Sequence, residues 1–314
     1  MRIVITGVGL ALPGAEDLAA LLRTDGQRGE PVDPGARIGR RGLRYKDRAS
    51  QLALCAAAEV LTDAGLRPAD GELTVAGESV AVVASSNLGN LDTVCEIASA
   101  IAEESTDRIS PMALPNASSN VVASSVAMKF GLRGPNLMLC NGPTAGLDAV
   151  HWGAALVAAG RCERALVVGV ETRNHVVEAL TGEVDLLDGA VALMVESDEA
   201  ARARGALAVA ELGQYSREGS VAACVDRVLA GGGSPGIWLT PDAAERPEVT
   251  PGTPRHDVTG AFGLASGALG VLQCAAAIGW LGAGGAGSAL VTAGDDAADG
   301  VAGMVLRSAG KGER

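Results

Sequence analysis

Apolar and polar positions along the chain mark out a series of short elements. Arg2 to Thr6 is a β-branched run, and Gly7-Val8-Gly9 is expected to stop it, which predicts a first strand. Between Asp47 and Ala64, the residues Leu52, Leu54, Cys55, Ala58, Val60 and Leu61 form an apolar stripe at helical spacing, with Gly65 as a stop signal. Val80 to Ala84 reads as a strand, and Asn116 to Phe130 as a helix ending near Gly131. A short apolar strand follows at Asn136 to Leu139, then a turn at Asn141-Gly142-Pro143-Thr144 and a helix from Ala145 to Ala159. Arg164 to Val170 and Gly189 to Glu196 are further strands.

The same order recurs later. Thr259-Gly260-Ala261-Phe262-Gly263 turns into a helix from about Leu264 to Leu281, and strands follow at Ser288 to Thr292 and Val301 to Leu306. This weak but ordered repeat predicts two related α/β halves, 1–200 and 201–314, joined near Glu199 to Gly205. Each half then carries a junction where a strand turns sharply into a helix. Free N–H groups and the positive end of the helix dipole stabilise an anion there. A cysteine in that position has a lowered pKa and accepts acyl groups well. The first junction is where chemistry is expected.

Composition narrows the fold class. Hydrophobic residues make up 48% of the 314 positions, with 43 glycines and only 2% aromatics. A core built from Ala, Val, Leu and backbone suits closely packed layers of sheet and helix. The formal charge of −12 and the absence of a basic stripe argue against a nucleic-acid partner. Met1 to Ile5 runs straight into a strand, so no signal peptide is expected. No uncharged apolar run reaches the ~18 residues of a membrane span. The six cysteines lack C-x-x-C spacing and fit small buried hydrophobes in a reducing cytoplasm. Gly231-Gly-Gly and Gly282 to Gly287 lack the Gly-Lys-Ser/Thr of a phosphate loop, and no cofactor or metal is expected.

Several blocks together carry a resemblance. They are Met1-Arg-Ile-Val-Ile-Thr-Gly-Val-Gly9, Tyr45-Lys-Asp-Arg-Ala-Ser-Gln-Leu-Ala-Leu54 with Leu61-Thr-Asp-Ala-Gly-Leu66, and Pro111-Met-Ala-Leu-Pro-Asn116 with Phe130-Gly-Leu-Arg-Gly-Pro135. The chain resembles β-ketoacyl synthases of the thiolase-like superfamily, densely to about residue 172 and thinly beyond. The resemblance implies a five-layer αβαβα sandwich of two duplicated halves, the second shortened. It also implies that the family's nucleophilic cysteine falls at Pro143 and its second catalytic histidine at Leu264. The first histidine loop is best matched around Trp238-Leu-Thr-Pro-Asp242, which holds no histidine. The family's carboxy-terminal glycine loop corresponds to Gly294-Asp-Asp-Ala-Ala-Asp-Gly300, whose Asp295 and Asp296 would oppose an oxyanion.

Proline fits the first turn of a helix but cannot be a nucleophile. Pro143-Thr-Ala-Gly-Leu-Asp-Ala149 is very like the junction of chain length factors, the ketosynthase homologues that lack the cysteine. The resemblance implies a non-condensing, chain-length-factor-like subunit for polyketide or fatty-acyl elongation. Its partners would be an active ketosynthase, met across the strand at Asn136 to Leu139, and an acyl carrier protein. Two alternatives stay open. One is an acyltransferase or hydrolase using Cys140, His256 or the Asp295–Asp296 loop; the other is a homodimeric scaffold that binds acyl chains without turnover. His151 and His175 match no family histidine, whereas His256 lies close in sequence to the second junction.

Overall fold

The computed structural model describes residues 1–24, 29–68, 71–111, 114–240 and 250–310. Met112 and Ala113 of the motif, and Pro241 and Asp242 of the candidate histidine loop, lie outside the described residues. The strands are β1 (Ile3–Ala11), β2 (Val80–Ser85), β3 (Asn136–Leu139), β4 (Arg164–Glu171), β5 (Gly189–Ser197), β6 (Ala210–Glu218), β7 (Ile237–Leu239), β8 (Arg255–His256), β9 (Ser288–Ala293) and β10 (Val301–Arg307). The helices are α1 (Pro34–Ile38), α2 (Arg48–Asp63), α3 (Leu91–Glu104), α4 (Val121–Phe130), α5 (Ala145–Ala158), α6 (His175–Thr181), α7 (Asp198–Ala203), α8 (Val221–Leu229), α9 (Thr259–Phe262) and α10 (Leu269–Gly282).

The strands pair in the order β3-β2-β4-β5-β1-β6-β10-β9-β7-β8. Read outward from the middle, the second five repeat the order of the first five. Directions repeat too: β2 is parallel to β3 and β4 as β7 is to β8 and β9, and β5 and β10 are antiparallel to both neighbours. β1 and β6 join the halves through antiparallel pairing at Ile3↔Leu212, Val4↔Glu211 and Ile5↔Ala210.

Alternation along the strands separates three cores. Ala81 and Val83, Ala165 and Val167, and Val191, Leu193 and Val195 face a central layer with α5 and α10; Ala289, Val291, Ala302 and Met304 of the second half meet them there. Val80, Val82, Leu166, Val168, Ala192 and Met194 face the other way, under α2 and α4. Val301, Val305 and Leu290 pack under α8 in a much smaller outer cluster. The layers are therefore α, β, α, β, α with a reduced second outer face. The central helices touch through backbone: a Cβ on Gly146 would lie 2.7 Å from Gly270 N, and one on Gly270 would fall inside Leu147.

Two expectations need correction. β1 does not stop at Gly7-Val8-Gly9 but runs on to Ala11 with a register shift after Ile5. Those glycines serve α2: a Cβ on Gly7 would sit 2.8 Å from Ala64 N, and one on Gly9 would strike Ala56 O. The second-half helix starts at Leu269 rather than Leu264, because Gly263 and Ser266 both take positive φ, 88° and 38°.

Candidate functional site

The two junctions are built alike and lie against each other. Gly142–Thr144 and Ser266–Ala268 are each one 3₁₀ turn leading into a 14-residue helix, and each turn opens on a left-handed residue, Gly142 (φ 81°) or Ser266 (φ 38°). Asn87, just past β2, ties them together. Its Nδ2 donates to Gly142 O and to Ser266 Oγ, both at 2.9 Å, and its Oδ1 accepts from Gly142 N at 3.2 Å.

Beneath Asn87 sits a buried carboxylate. Glu171, at the end of β4, is 3% exposed. It accepts from the backbone N–H of Asn87 (2.7 Å), Gly267 (3.0 Å) and Leu88 (3.1 Å), and from Ser86 Oγ (3.1 Å). Burial pushes its carboxyl up to about 7, while the amide and hydroxyl hydrogen bonds pull the other way. With four donors on its two oxygens, it holds the loops of both junctions in place. Sequence reading missed both Asn87 and Glu171. A carboxylate closing a buried apolar strand (Leu166-Val-Val-Gly-Val-Glu171) was the available signal.

Pro143 and Leu264 do meet. They line one pocket of about 220 Å³ with Leu88, Val177, Leu186 and Leu187, and Glu171 forms part of its wall. Leu264 is fixed there by its main chain, which donates to Asp185 O (2.8 Å) and accepts from Leu187 N (3.0 Å). Among the described residues lining this pocket there is no thiol and no imidazole.

The other candidates lie elsewhere. Cys140 directly follows β3 and opens onto a separate pocket of about 380 Å³ with Asp148, Trp152, Tyr215 and Arg217. Burial and the charge of Glu171 raise its thiol pKa, and a hydrogen bond from Ser119 offsets this only in part. Neutral thiol is the form expected, which is a poor nucleophile. Asp148 is tied up by Thr144 Oγ1 at 2.8 Å, by Asn141 Nδ2 and by the Tyr215 hydroxyl. His151 stacks on Tyr215 with centroids 4.1 Å apart, and burial lowers its pKa against the pull of Asp148. His175 is an exposed residue opening α6.

His256 lies on the far edge strand β8, with Nε2 2.8 Å from Leu21 O. Asp296 accepts from Val221 N (2.7 Å) at the start of α8, and Asp295 accepts from Ala297 N and Ala298 N, both at 2.9 Å. These aspartates shape a hairpin and hold a helix end, and neither lines the Pro143–Leu264 pocket. The expected oxyanion-opposing role is corrected accordingly. Among the described residues no cluster of three or more His, Cys, Asp or Glu side chains offers a metal site, and no helix is long and apolar enough to cross a membrane.

Comparison with known proteins agrees with this fold. Residues 29–182 match the family model of the β-ketoacyl synthase N-terminal domain. The chain is 26% identical over 266 residues to 3-oxoacyl-[acyl-carrier-protein] synthase 2 of Vibrio harveyi, covering 69% of this chain and 63% of that one. It is 31% identical over 191 residues to the ketoacyl synthase alpha subunit of the tetracenomycin polyketide synthase of Streptomyces glaucescens, covering 52% of this chain and 44% of that one. The chain thus spans less than two thirds of the length of these relatives. Its fold matches a chain of the ishigamide ketosynthase/chain length factor with a TM-score of 0.78 at 23% identity, covering 99% of this chain and 100% of that one. The architecture is the thiolase-like ketosynthase fold.

Proposed function

We propose that the chain, whose residues 29–182 match the family model of the β-ketoacyl synthase N-terminal domain, is a non-condensing, chain-length-factor-like subunit. It pairs with an active ketosynthase in polyketide or fatty-acyl elongation on an acyl carrier protein. The observation that carries this reading is the junction pocket, where Pro143 and Leu264 stand together and, among the described residues, no thiol or imidazole lines the wall. Condensation needs an activated acyl acceptor and a donor to the developing oxyanion, and a proline ring and an isobutyl group supply neither.

Surface features support the pairing. β3 is the terminal strand of the sheet, with one edge unpaired among the described residues. Met128 and Trp152, on the neighbouring helices α4 and α5, are 73% and 51% exposed. An open edge strand flanked by large apolar side chains is a surface that a partner covers. A short basic run, hidden by the acidic total, supports a carrier partner. Arg37 to Arg48 holds six cationic residues and one acidic one, net +5, so the rest of the chain carries −17. Arg40, Arg41 and Arg44 are exposed, a surface suited to an acidic carrier. We take residues 1–200 and 201–314 as the two halves of the subunit.

The test is co-expression with a ketosynthase encoded beside it, followed by size exclusion with mass measurement. A one-to-one complex is expected. A homodimer that ignores every such ketosynthase would sink the reading in favour of the acyl-binding scaffold.

A further inference from the structure

A cleft lies away from the junctions, on the outer face of the first half. It has a volume of about 830 Å³ and runs between the end of β1, α1, α2 and the end of α4. Leu10, Ala15, Ile38 and Ala58 form an apolar strip in a lining that also carries Glu59, Thr62 and several charged groups. This volume is in the range of small-molecule sites.

The charges around it do not cancel. Arg37 is spent within the protein: its guanidinium donates to Leu10 O and pairs with Glu59 at 3.4 Å. Arg67 and Lys129 differ, for neither has a carboxylate partner among the described residues. The Arg67 guanidinium lies over the Phe130 ring, 5.6 Å from its centroid, which leaves its N–H donors free. Lys129 is the preceding residue, exposed at the end of α4. Against these two cations stands one further acid in the lining, Glu16, exposed. In a chain of net charge −12, such a pair of cations without carboxylate partners among the described residues makes the cleft locally positive.

We propose that this cleft binds an anionic amphiphile, its carboxylate or phosphate head held by Arg67 and Lys129 and its apolar body laid on the Leu10–Ala58 strip. The site is independent of the partner reading, because the sheet and α2 separate it from the Pro143–Leu264 pocket, and no residue lines both.

Titration calorimetry on the intact chain at low salt tests it, with decanoate, decyl phosphate, decanol and inorganic phosphate as probes. Both charged amphiphiles are expected to bind at one site, at least tenfold more tightly than decanol or inorganic phosphate. The two heads separate a carboxylate from a phosphate preference. Arg67→Ala with Lys129→Ala should weaken binding at least tenfold. Thr62→Trp, placed at an exposed lining position, should block it without touching the core. Leu264→Trp, which fills the junction pocket, should leave it unchanged. Binding lost with Leu264→Trp but kept in the Arg67/Lys129 variant would put the ligand in the junction pocket and overturn the proposal. So would the absence of saturable binding, or equal affinity for decanol and decanoate. None of these outcomes bears on ketosynthase pairing, which size exclusion reads separately.

Discussion

Pro143 is tolerated at the first junction because its turn needs no amide there: Gly142 takes the left-handed conformation and Asn87 supplies the hydrogen bonds. Restoring the thiol alone should not restore chemistry. Pro143→Cys is expected to show no condensing activity with acyl and malonyl carrier substrates, because Leu264 still offers no proton donor. A condensation product from that single variant would show that the site is intact but for one residue. Glu171 predicts a pH effect. Its carboxyl is pushed up to about 7 in the folded chain and lies near the ordinary carboxylate value of 4.5 when unfolded. The folded state therefore holds the proton more tightly between those values. Stability from this group is fully present below about 4.5 and is lost as pH rises through 7, by about 3 kcal/mol in all. Urea unfolding at pH 5 and pH 8 should show that difference in the wild type, and Glu171→Gln should remove it.

At the scale of elements, the two central helices depend on their glycine crossing. A Cβ on Gly270 would fall inside the backbone of Leu147, so Gly270→Ala must push α5 and α10 apart. A loss of about 3 kcal/mol or more is expected, read as a lowered thermal midpoint of the isolated chain. An unchanged midpoint would mean the helices are not in backbone contact. The basic segment between α1 and α2 makes a different prediction. Arg41→Glu with Arg44→Glu should weaken carrier-protein binding at least tenfold at low salt, with little effect at high salt. Both side chains are exposed, so stability should hardly move. Elements also show where pattern reading runs short. α3 has an amphipathic sequence yet buries none of its residues, and β6 is short of apolar alternation because its partners are other strands and α8.

At the scale of the whole molecule, assembly is expected to use the open edge of the sheet. Trp152→Ala should weaken the ketosynthase complex at least tenfold while leaving the isolated chain as stable, since this ring is half exposed. Unchanged affinity in a sedimentation titration would move the interface elsewhere. The sequence by itself determined the layered α/β class, the internal duplication and the place of the first junction. Those follow from local signals: apolar periodicity, turn residues and the order in which they recur. Its resemblance to a known family also implies that Pro143 and Leu264 stand where reactive side chains would be, and residue identity is enough to say that neither is one. Only the tertiary structure decided that the two share one pocket, that Asn87 and Glu171 fasten the junctions, and that His256 and Asp296 are kept busy far from it. The reason is physical. Glu171 and Gly267 are 96 residues apart in the chain, and a hydrogen bond between them exists only once both halves have packed on α5 and α10.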